Sequence, residues 1–428
     1  MEKSFLTEKI AFIAFYHKKN IFSLNTIIAA IETSEEIKDI KIFYLKNKQE
    51  LFQELPAILK HYEIVIFGFS IFTEQIWLVS NIIENLRKKF GNRILIIAGG
   101  PHATGDPKGT LEKGFDVVFL SESEKSIIEF IKSQKKKESF NNIEGIAYLD
   151  EKQKTHINKK NYIIDLDQYP PFPLKNTKYG SIEITRGCPY MCYFCQTSFM
   201  NGNNVRYRSI NTICKYIKIL KKENLTDIRF ITPNAFSYGS TNGKSVNYSE
   251  LEKLLLRVRK IIGTEGRIFY GTFPSEVRPE HVNKKTLTLI KKYANNDNIV
   301  IGAQSGSQNI LDKCNRGHTV EDIYQAVKVT IDMGFKANVD FIFGLPNETD
   351  KDREKTIYTM KKLIDMGAKL NAHTFIPLPQ TPFYKAKFSK IDKKTNEFLQ
   401  EYNFKGKVYG NWRKQEELSL KIRKELNY

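Results

Sequence analysis

Cysteine is scarce in this sequence, with five in 428 residues and none before position 188. So few cannot staple a fold, which excludes the disulfide-rich scaffold class. Long apolar runs are also missing. The longest candidate, residues 64–83, is broken by Thr73, Glu74 and Gln75, so no stretch supplies the roughly 18 uncharged apolar residues of a membrane helix. The first ten residues carry Glu2 and Glu8 and no apolar core with a small-residue cleavage site, so no secretory signal is expected. Negative charge is in deficit: 48 Asp and Glu face 67 Lys and Arg, a formal net charge of +19. Lysine outnumbers arginine and is spread along the chain, with local runs such as Lys135–Lys137 and Lys221–Lys222. That pattern reads as a solvated surface before it reads as a basic groove. A nucleic acid or an acidic substrate is compatible with the charge but not indicated by it. The remaining composition, 41% hydrophobic and 27% charged, is globular, and the length suggests two or three domains of about 150 residues each.

Residues 1–135 read as five strand–helix units, with apolar, β-branched runs at 10–16, 41–45, 64–69, 94–98 and 117–120. Each run is followed by a segment with helical spacing, such as Ile76, Val79, Ile83 and Leu86. Strands buried on both faces with helices between them predict an open parallel sheet of the flavodoxin-like or Rossmann-like kind. Ligands of such sheets sit beyond the carboxyl ends of the strands. There the sequence places Gly68-Phe69-Ser70 and Gly99-Gly100-Pro101-His102. Residues 136–178 read as a linker with room for a short hairpin, ending in Tyr169-Pro170-Pro171-Phe172-Pro173, which can continue neither a helix nor a central strand. From 179 to 380 the alternation repeats six times, with strands expected at 181–185, 227–231, 267–272, 299–303, 337–343 and 372–377. Six such units predict a partial (β/α)6 TIM-like barrel. Residues 381–428 form a lysine-rich extension.

Directly after the first strand of the second part comes Thr185-Arg186-Gly187-Cys188-Pro189-Tyr190-Met191-Cys192-Tyr193-Phe194-Cys195. A cysteine with others at +4 and +7 arises by chance about once in ten thousand times in a chain this poor in cysteine. The loop lies where barrel active sites are built. Three thiolates so close can hold three irons of a cubane cluster and leave the fourth open. Structural zinc is the competing reading, but it wants four ligands, and the nearest histidines in sequence, His156 and His281, are far away. Cys214 lies in an apolar helical pattern and Cys314 follows Ile310 and Leu311, so both read as packed.

With Cys188, Cys192 and Cys195, and Phe194 before the last, the loop resembles that of the radical S-adenosylmethionine (SAM) superfamily. Ser70 and the Gly99-to-Thr104 run resemble the cobalamin-binding domain that precedes the radical domain in one large branch, and the proline-rich linker matches that branch too. The resemblance covers nearly the whole chain. It implies a [4Fe–4S] cluster whose open iron is chelated by SAM, and reductive cleavage of SAM to methionine and a 5′-deoxyadenosyl radical. It also implies an electron donor such as flavodoxin or ferredoxin, and a cytoplasmic, oxygen-sensitive enzyme. Backbone near Phe194 would contact the adenine. Asn234, in Thr232-Pro233-Asn234, would lie near the methionine amino group. Gln304 and Ser305 would meet the ribose and methionine end, and Gly344 in Gly344-Leu345-Pro346 would shape the adenine pocket. In the first part, Ser70, Gly99, Gly100 and His102 would line the cobalamin.

The chain also departs from that branch. The family's Asp-x-His-x-x-Gly is Tyr16-His17-Lys18-Lys19-Asn20 here, so His17 is expected on the surface and the cobalamin base-off with no protein ligand. The family's Gly-Glu-Gly-Glu is Ser121-Glu122-Ser123-Glu124. Gln304-Ser305-Gly306 and Pro377-to-Pro382 further resemble methylthiotransferases, but those hold a second cluster on three N-terminal cysteines that this chain lacks. The expectation is a radical SAM enzyme that transfers a methyl group with cobalamin to an unreactive carbon. The alternatives are a radical enzyme whose first domain no longer binds cobalamin, and a basic nucleic-acid-binding protein with a structural cluster.

Overall fold

The computed structural model describes residues 9–387 and 389–426. Contacts divide the chain into two units, Met1–Gly180 and Ser181–Tyr428.

The first unit is a seven-stranded sheet. Its strands are β1 (Ile10–Phe15), β2 (Lys41–Leu45), β3 (Ile64–Ser70), β4 (Leu95–Gly99), β5 (Val117–Phe119), β6 (Ile146–Leu149) and β7 (Thr155–Ile157). The spatial order is β2-β1-β3-β4-β5-β6-β7, with β1 to β5 all parallel. All six residues of β1 are buried, as a strand with helices on both faces requires. The order reverses between β1 and β3, which makes their carboxyl ends the crevice of the sheet. Gly68 on β3 leaves room for the Phe12 ring of β1: a Cβ there would sit 2.7 Å from Phe12 Cζ. Within the stretch read as a linker, residues 146–157 form an antiparallel hairpin that extends the sheet through β5 and β6. The Glu32 carboxylate then accepts the backbone N–H groups of Leu174, Lys175 and Asn176 at 2.7 to 3.0 Å, which straps the end of that stretch to the unit.

The second unit is the partial barrel. Its strands are β8 (Ile182–Glu183), β9 (Thr185–Arg186), β10 (Arg206–Tyr207), β11 (Asp227–Ile231), β12 (Arg267–Phe269), β13 (Asn298–Gln304), β14 (Lys336–Phe343), β15 (Lys369–Thr374) and β16 (Val408–Tyr409). One parallel arc runs β8-β11-β12 and another runs β13-β14-β15-β16. Three backbone bonds join the arcs: Val300 N–H to Gly271 O, Val277 N–H to Val300 O, and Gly302 N–H to Val277 O, at 2.9 to 3.0 Å. Two features fall outside the six regular repeats. The pair β9–β10 is antiparallel, and the extension contributes β16, which pairs with β15, together with helices Lys393–Phe404 and Trp412–Glu425. Two-residue strands carry no periodicity, so neither could be read from the sequence.

Gly306 sits where the turn after β13 meets the helix Asp350–Asp365. A Cβ there would lie 2.6 Å from Thr359 Cβ and 2.7 Å from Thr356 Cα. Gly306→Ala is therefore expected to destabilise the second unit by about 1–3 kcal/mol through overpacking, read as a lower urea midpoint with unchanged slope. In the first unit, His102 is buried in helix Gly100–Gly105 with Nδ1 against Thr73 Oγ1 at 3.2 Å. Burial pushes its imidazole down to about 4. An unfolded histidine, titrating near 6.5, takes up a proton that the folded one refuses. Stability is thus expected to fall as pH drops from about 6.5 to about 4, by about 3 kcal/mol for this group. Hydrogen exchange of the β3 and β4 amides checks this, and His102→Gln is expected to flatten their pH dependence across that window.

Candidate functional site

The cysteine loop leaves β9 at Gly187, where the chain takes φ +87° and a Cβ would lie 2.3 Å from Asn204 O. Only glycine allows both the turn and that approach. From there the loop is pinned at several points. Cys188 N–H donates to Gly202 O at 3.1 Å, Tyr193 N–H to Cys314 O at 3.0 Å, and Phe383 N–H to Tyr193 O at 3.2 Å. Asn315 Nδ2 reaches the carbonyls of Tyr190 and Met191 at 2.9 and 3.3 Å. The Arg278 guanidinium stacks on the Tyr190 ring, 3.4 Å from its centre.

All five cysteines are free. Burial pushes the Cys188 and Cys195 thiols up, and Cys188, Cys192 and Cys195 act on one another electrostatically. Each sulfur has a polar hydrogen within reach. Cys188 has the Ser198 hydroxyl and the Tyr190 N–H. Cys192 has Arg316 Nη1 at 3.6 Å, and Cys195 has the Thr197 backbone N–H, while its own thiol donates to Thr197 Oγ1 at 3.3 Å. Among the described residues, no three His, Cys, Asp or Glu side chains converge closely enough for one metal ion. A cubane asks for something different: each thiolate takes its own iron, so three thiols on one loop can serve it without meeting at a single ion. The donor set fits the cluster.

The other expected residues of this unit each have their own setting. Phe194 packs on a patch formed by Ile310, Cys314, Leu345, Phe375 and Phe383. Burial pushes the Cys314 thiol up to about 12, in keeping with its packed role. Gln304 ends β13 at a register shift with φ +76°, and its amide crowds the Arg316 guanidinium over Gly302, where a Cβ would meet both within 2.9 Å. Asn234 is buried and engaged: Nδ2 donates to His281 Nδ1 at 2.8 Å and Oδ1 accepts from Arg278 N–H at 3.3 Å. Ser305 is enclosed, its Oγ accepting from Ser307 N–H at 3.1 Å and lying 3.2 Å from Thr356 Oγ1. Gly344, at φ +74°, donates its N–H to Glu348 at 2.8 Å and lies where a Cβ would meet Ser389 O at 2.5 Å.

Arg316, missed in the sequence, ties this arrangement together. One amino group faces the Cys192 sulfur, and the other donates to Gly302 O at 2.7 Å. The signal was the run Asn315-Arg316-Gly317-His318 after a short helix, which without the fold looks like an ordinary helix end.

In the first unit Ser70, Gly99, Gly100 and His102 meet at the carboxyl ends of β3 and β4. Ser70 Oγ lies 2.8 Å from Ser23 Oγ, and Gly100, at φ +89°, has no room for a Cβ against Ser70 Oγ at 2.7 Å. His17 is half-buried at the end of β1, with Nδ1 accepting from Lys19 N–H at 3.4 Å. Ser121 adopts φ +57°, a left-handed conformation at the place of a family glycine. Around this edge the large apolar side chains Phe22, Phe72 and Leu78 are exposed. An apolar rim on the ligand edge of a parallel sheet fits a large flat macrocycle.

Comparison with known proteins agrees with this geometry. Residues 182–359 match the radical SAM superfamily, and residues 25–131 match the B12 binding domain. An uncharacterized methyltransferase of Pyrococcus horikoshii is 24% identical over 77% of this chain and 71% of its own. The tRNA-2-methylthio-N(6)-dimethylallyladenosine synthase of Finegoldia magna is 23% identical over 66% of this chain, which spans 57% of that relative. The radical SAM methyltransferase TsrM of Kitasatospora setae, solved with cobalamin and a [4Fe–4S] cluster, shares the fold with TM-score 0.68 at 13% identity, over 88% of this chain and 74% of that one. This chain joins an N-terminal B12 binding domain to a radical SAM domain, and a [4Fe–4S] cluster, SAM and cobalamin are the cofactors that these two domains imply.

Proposed function

We propose that this radical SAM enzyme is a cobalamin-dependent methyltransferase acting on an unreactive carbon. The reading rests on the loop of three free cysteines, each with a polar hydrogen at its sulfur, in a chain that joins a radical SAM domain to a B12-binding domain. Similarity to a methyltransferase supports it. A methylthiotransferase activity is disfavoured because no cysteine precedes Cys188 for a second cluster.

Cys188, Cys192 and Cys195 would hold the cluster. When bound, it supplies the electron for reductive SAM cleavage, and cobalamin carries the methyl group. Gln304, next to Arg316, would meet SAM directly, with backbone at Phe194 contacting the adenine. Asn234, Ser305 and Gly344 are committed to internal hydrogen bonds or packing, so they would act by fixing the backbone that lines the site. Ser70, Gly99, Gly100 and His102 would shape the cobalamin edge in the same way. In functional terms residues 1–135 would hold cobalamin, 136–178 link, 179–380 carry the radical chemistry and 381–428 extend the barrel. Radical SAM enzymes need an electron donor; flavodoxin or ferredoxin in a reducing cytoplasm would serve here. Among the described residues no helix is long and apolar enough to cross a membrane.

The test is electron paramagnetic resonance (EPR) of the anaerobically reconstituted, reduced full chain, incubated with cobalamin and desalted. A stoichiometric cobalt(II) signal without nitrogen splitting, beside a cluster signal that shifts on adding SAM, is expected. Cys192→Ala is expected to lose the cluster signal and SAM cleavage, by at least a hundredfold in rate as a rough scale. Full SAM cleavage in that variant overturns the cluster assignment, and a cluster without retained cobalt overturns the methyltransferase reading.

A further inference from the structure

The inner wall of the barrel carries polar groups that the reading above leaves unused. In β14, Ala337, Val339, Phe341 and Phe343 are all buried and apolar, which turns Asp340 to the opposite face. In β15, Leu370 and Ala372 likewise leave Asn371 and His373 on the face of Asp340. Asp340 and Asn371 are register partners. A chain of side chains runs from the C-terminal helix to this wall. Gln415 Nε2 lies 3.2 Å from His373 Nδ1, and the Asn371 amide lies 2.8 Å from His373 Nε2 and 3.0 Å from Asp340 Oδ1.

The directions of these bonds follow from one fixed end. Thr374 N–H can only donate, and it meets Gln415 Oε1 at 3.0 Å. That leaves Gln415 Nε2, a donor, facing His373 Nδ1, which must accept. A neutral imidazole then carries its proton on Nε2 and needs an acceptor there. An amide nitrogen of Asn371 at that place would set donor against donor, so the Asn371 oxygen occupies it, an amide orientation that the network decides. The same atom faces Asp340 Oδ1. Two oxygens hold that distance when a proton lies between them, so Asp340 is the donor.

Glu276, in the segment after β12, completes the wall. Asp340, His373 and Arg316 act on it electrostatically, and Tyr409 on β16 senses both acids. Its carboxylate is open to solvent yet walled in by protein, and it has no hydrogen-bond or ion-pair partner among the described residues. Burial raises both carboxyls above the ordinary range, and each negative charge disfavours the other. Turning the Asn371 oxygen toward Asp340 removes the one hydrogen bond that favoured its ionised form.

We propose that Asp340 is neutral at physiological pH, kept so by Gln415, His373 and Asn371, and that Glu276 is the single ionised acceptor on this wall, so that the barrel takes a substrate presenting an uncharged N–H or O–H group there. A wall with both acids ionised would instead select a cation. The inference deepens the proposed methyltransferase reading and rests on the barrel being its catalytic unit.

Infrared difference spectroscopy of the reconstituted full chain tests it. At neutral pH a protonated carboxyl C=O band that moves in D2O is expected, lost in Asp340→Asn and retained in Glu276→Gln. The two variants together assign the band, because burial raises Glu276 and Glu348 as well. Gln415→Leu frees His373 Nδ1 to take the proton, so the Asp340 midpoint is expected to fall by about one pH unit or more. This second variant alters only the chain's outer end and carries the test if Asp340→Asn fails to fold. A neutral-pH band unchanged in Asp340→Asn, a band lost only in Glu276→Gln, or a midpoint unmoved in Gln415→Leu each overturns the proposal. Such a result in a sample with an intact cluster signal overturns this inference alone; absence of the cluster from the wild-type chain overturns the reading beneath it.

Discussion

Neighbouring thiols on one desolvated loop cannot become thiolates together unless positive charge is brought to them. Burial raises Cys188 and Cys195, and the neighbouring cysteine charges raise both further. Much of the second unit answers that constraint. The irons of a cluster would supply most of the compensating charge, and binding would release the thiol protons. The protein contributes the Ser198 hydroxyl at Cys188, the Thr197 N–H at Cys195 and a guanidinium at the central cysteine. Gly302 lacks a side chain at the place where Arg316 must cross β13 to reach the sulfur. Arg278 in turn holds the loop by stacking on Tyr190. The barrel thus works as a frame that delivers polar hydrogens to sulfur.

What was legible in the sequence was whatever repeats or clusters. The five parallel strands of the first unit could be read because each is an apolar run followed by a helical pattern, and every residue of β1 is buried. The cysteine triplet could be read because its spacing is improbable by chance. The roles of Arg316, Asn234 and Glu276 could not. Arg316 is one basic residue at a helix end, and its meaning arises only when β13 and the cysteine loop converge on it. Asn234 was expected at a cofactor, yet its amide joins His281 and the Arg278 backbone. A polar residue after a strand looks the same in sequence whether it faces a ligand or closes a turn.

Two departures from the family pattern take on physical content in the fold. Ser121 replaces a glycine but keeps the left-handed backbone that the glycine would supply. Its N–H is held by Thr104 Oγ1 at 2.9 Å, and neighbouring Glu122 pairs with Lys160 at 2.7 Å. The turn is thus preserved by side-chain bonds in place of backbone freedom. His17 stands near the expected position of a lower cobalt ligand, but the aspartate and glycine of that motif are replaced, and its Nδ1 caps the next turn. The binding edge has kept its shape while exchanging the residues that usually maintain it.

The C-terminal extension shows how a barrel wall can be set from outside. Its lysine-rich composition assigned it no role, but β16 pairs with β15, and Ser419 donates to Phe375 O at 2.6 Å beyond the end of that strand. These contacts fix the helix Trp412–Glu425 over β15, and the helix brings Gln415 to His373 and Thr374. Because each amide and imidazole in the chain can donate from only one side at a time, fixing Gln415 orients every bond inward to Asp340. A single backbone N–H at Thr374 therefore reaches, through four side chains, the charge of the inner wall. Changes in the extension can act on what the barrel accepts without touching any residue that a substrate would meet.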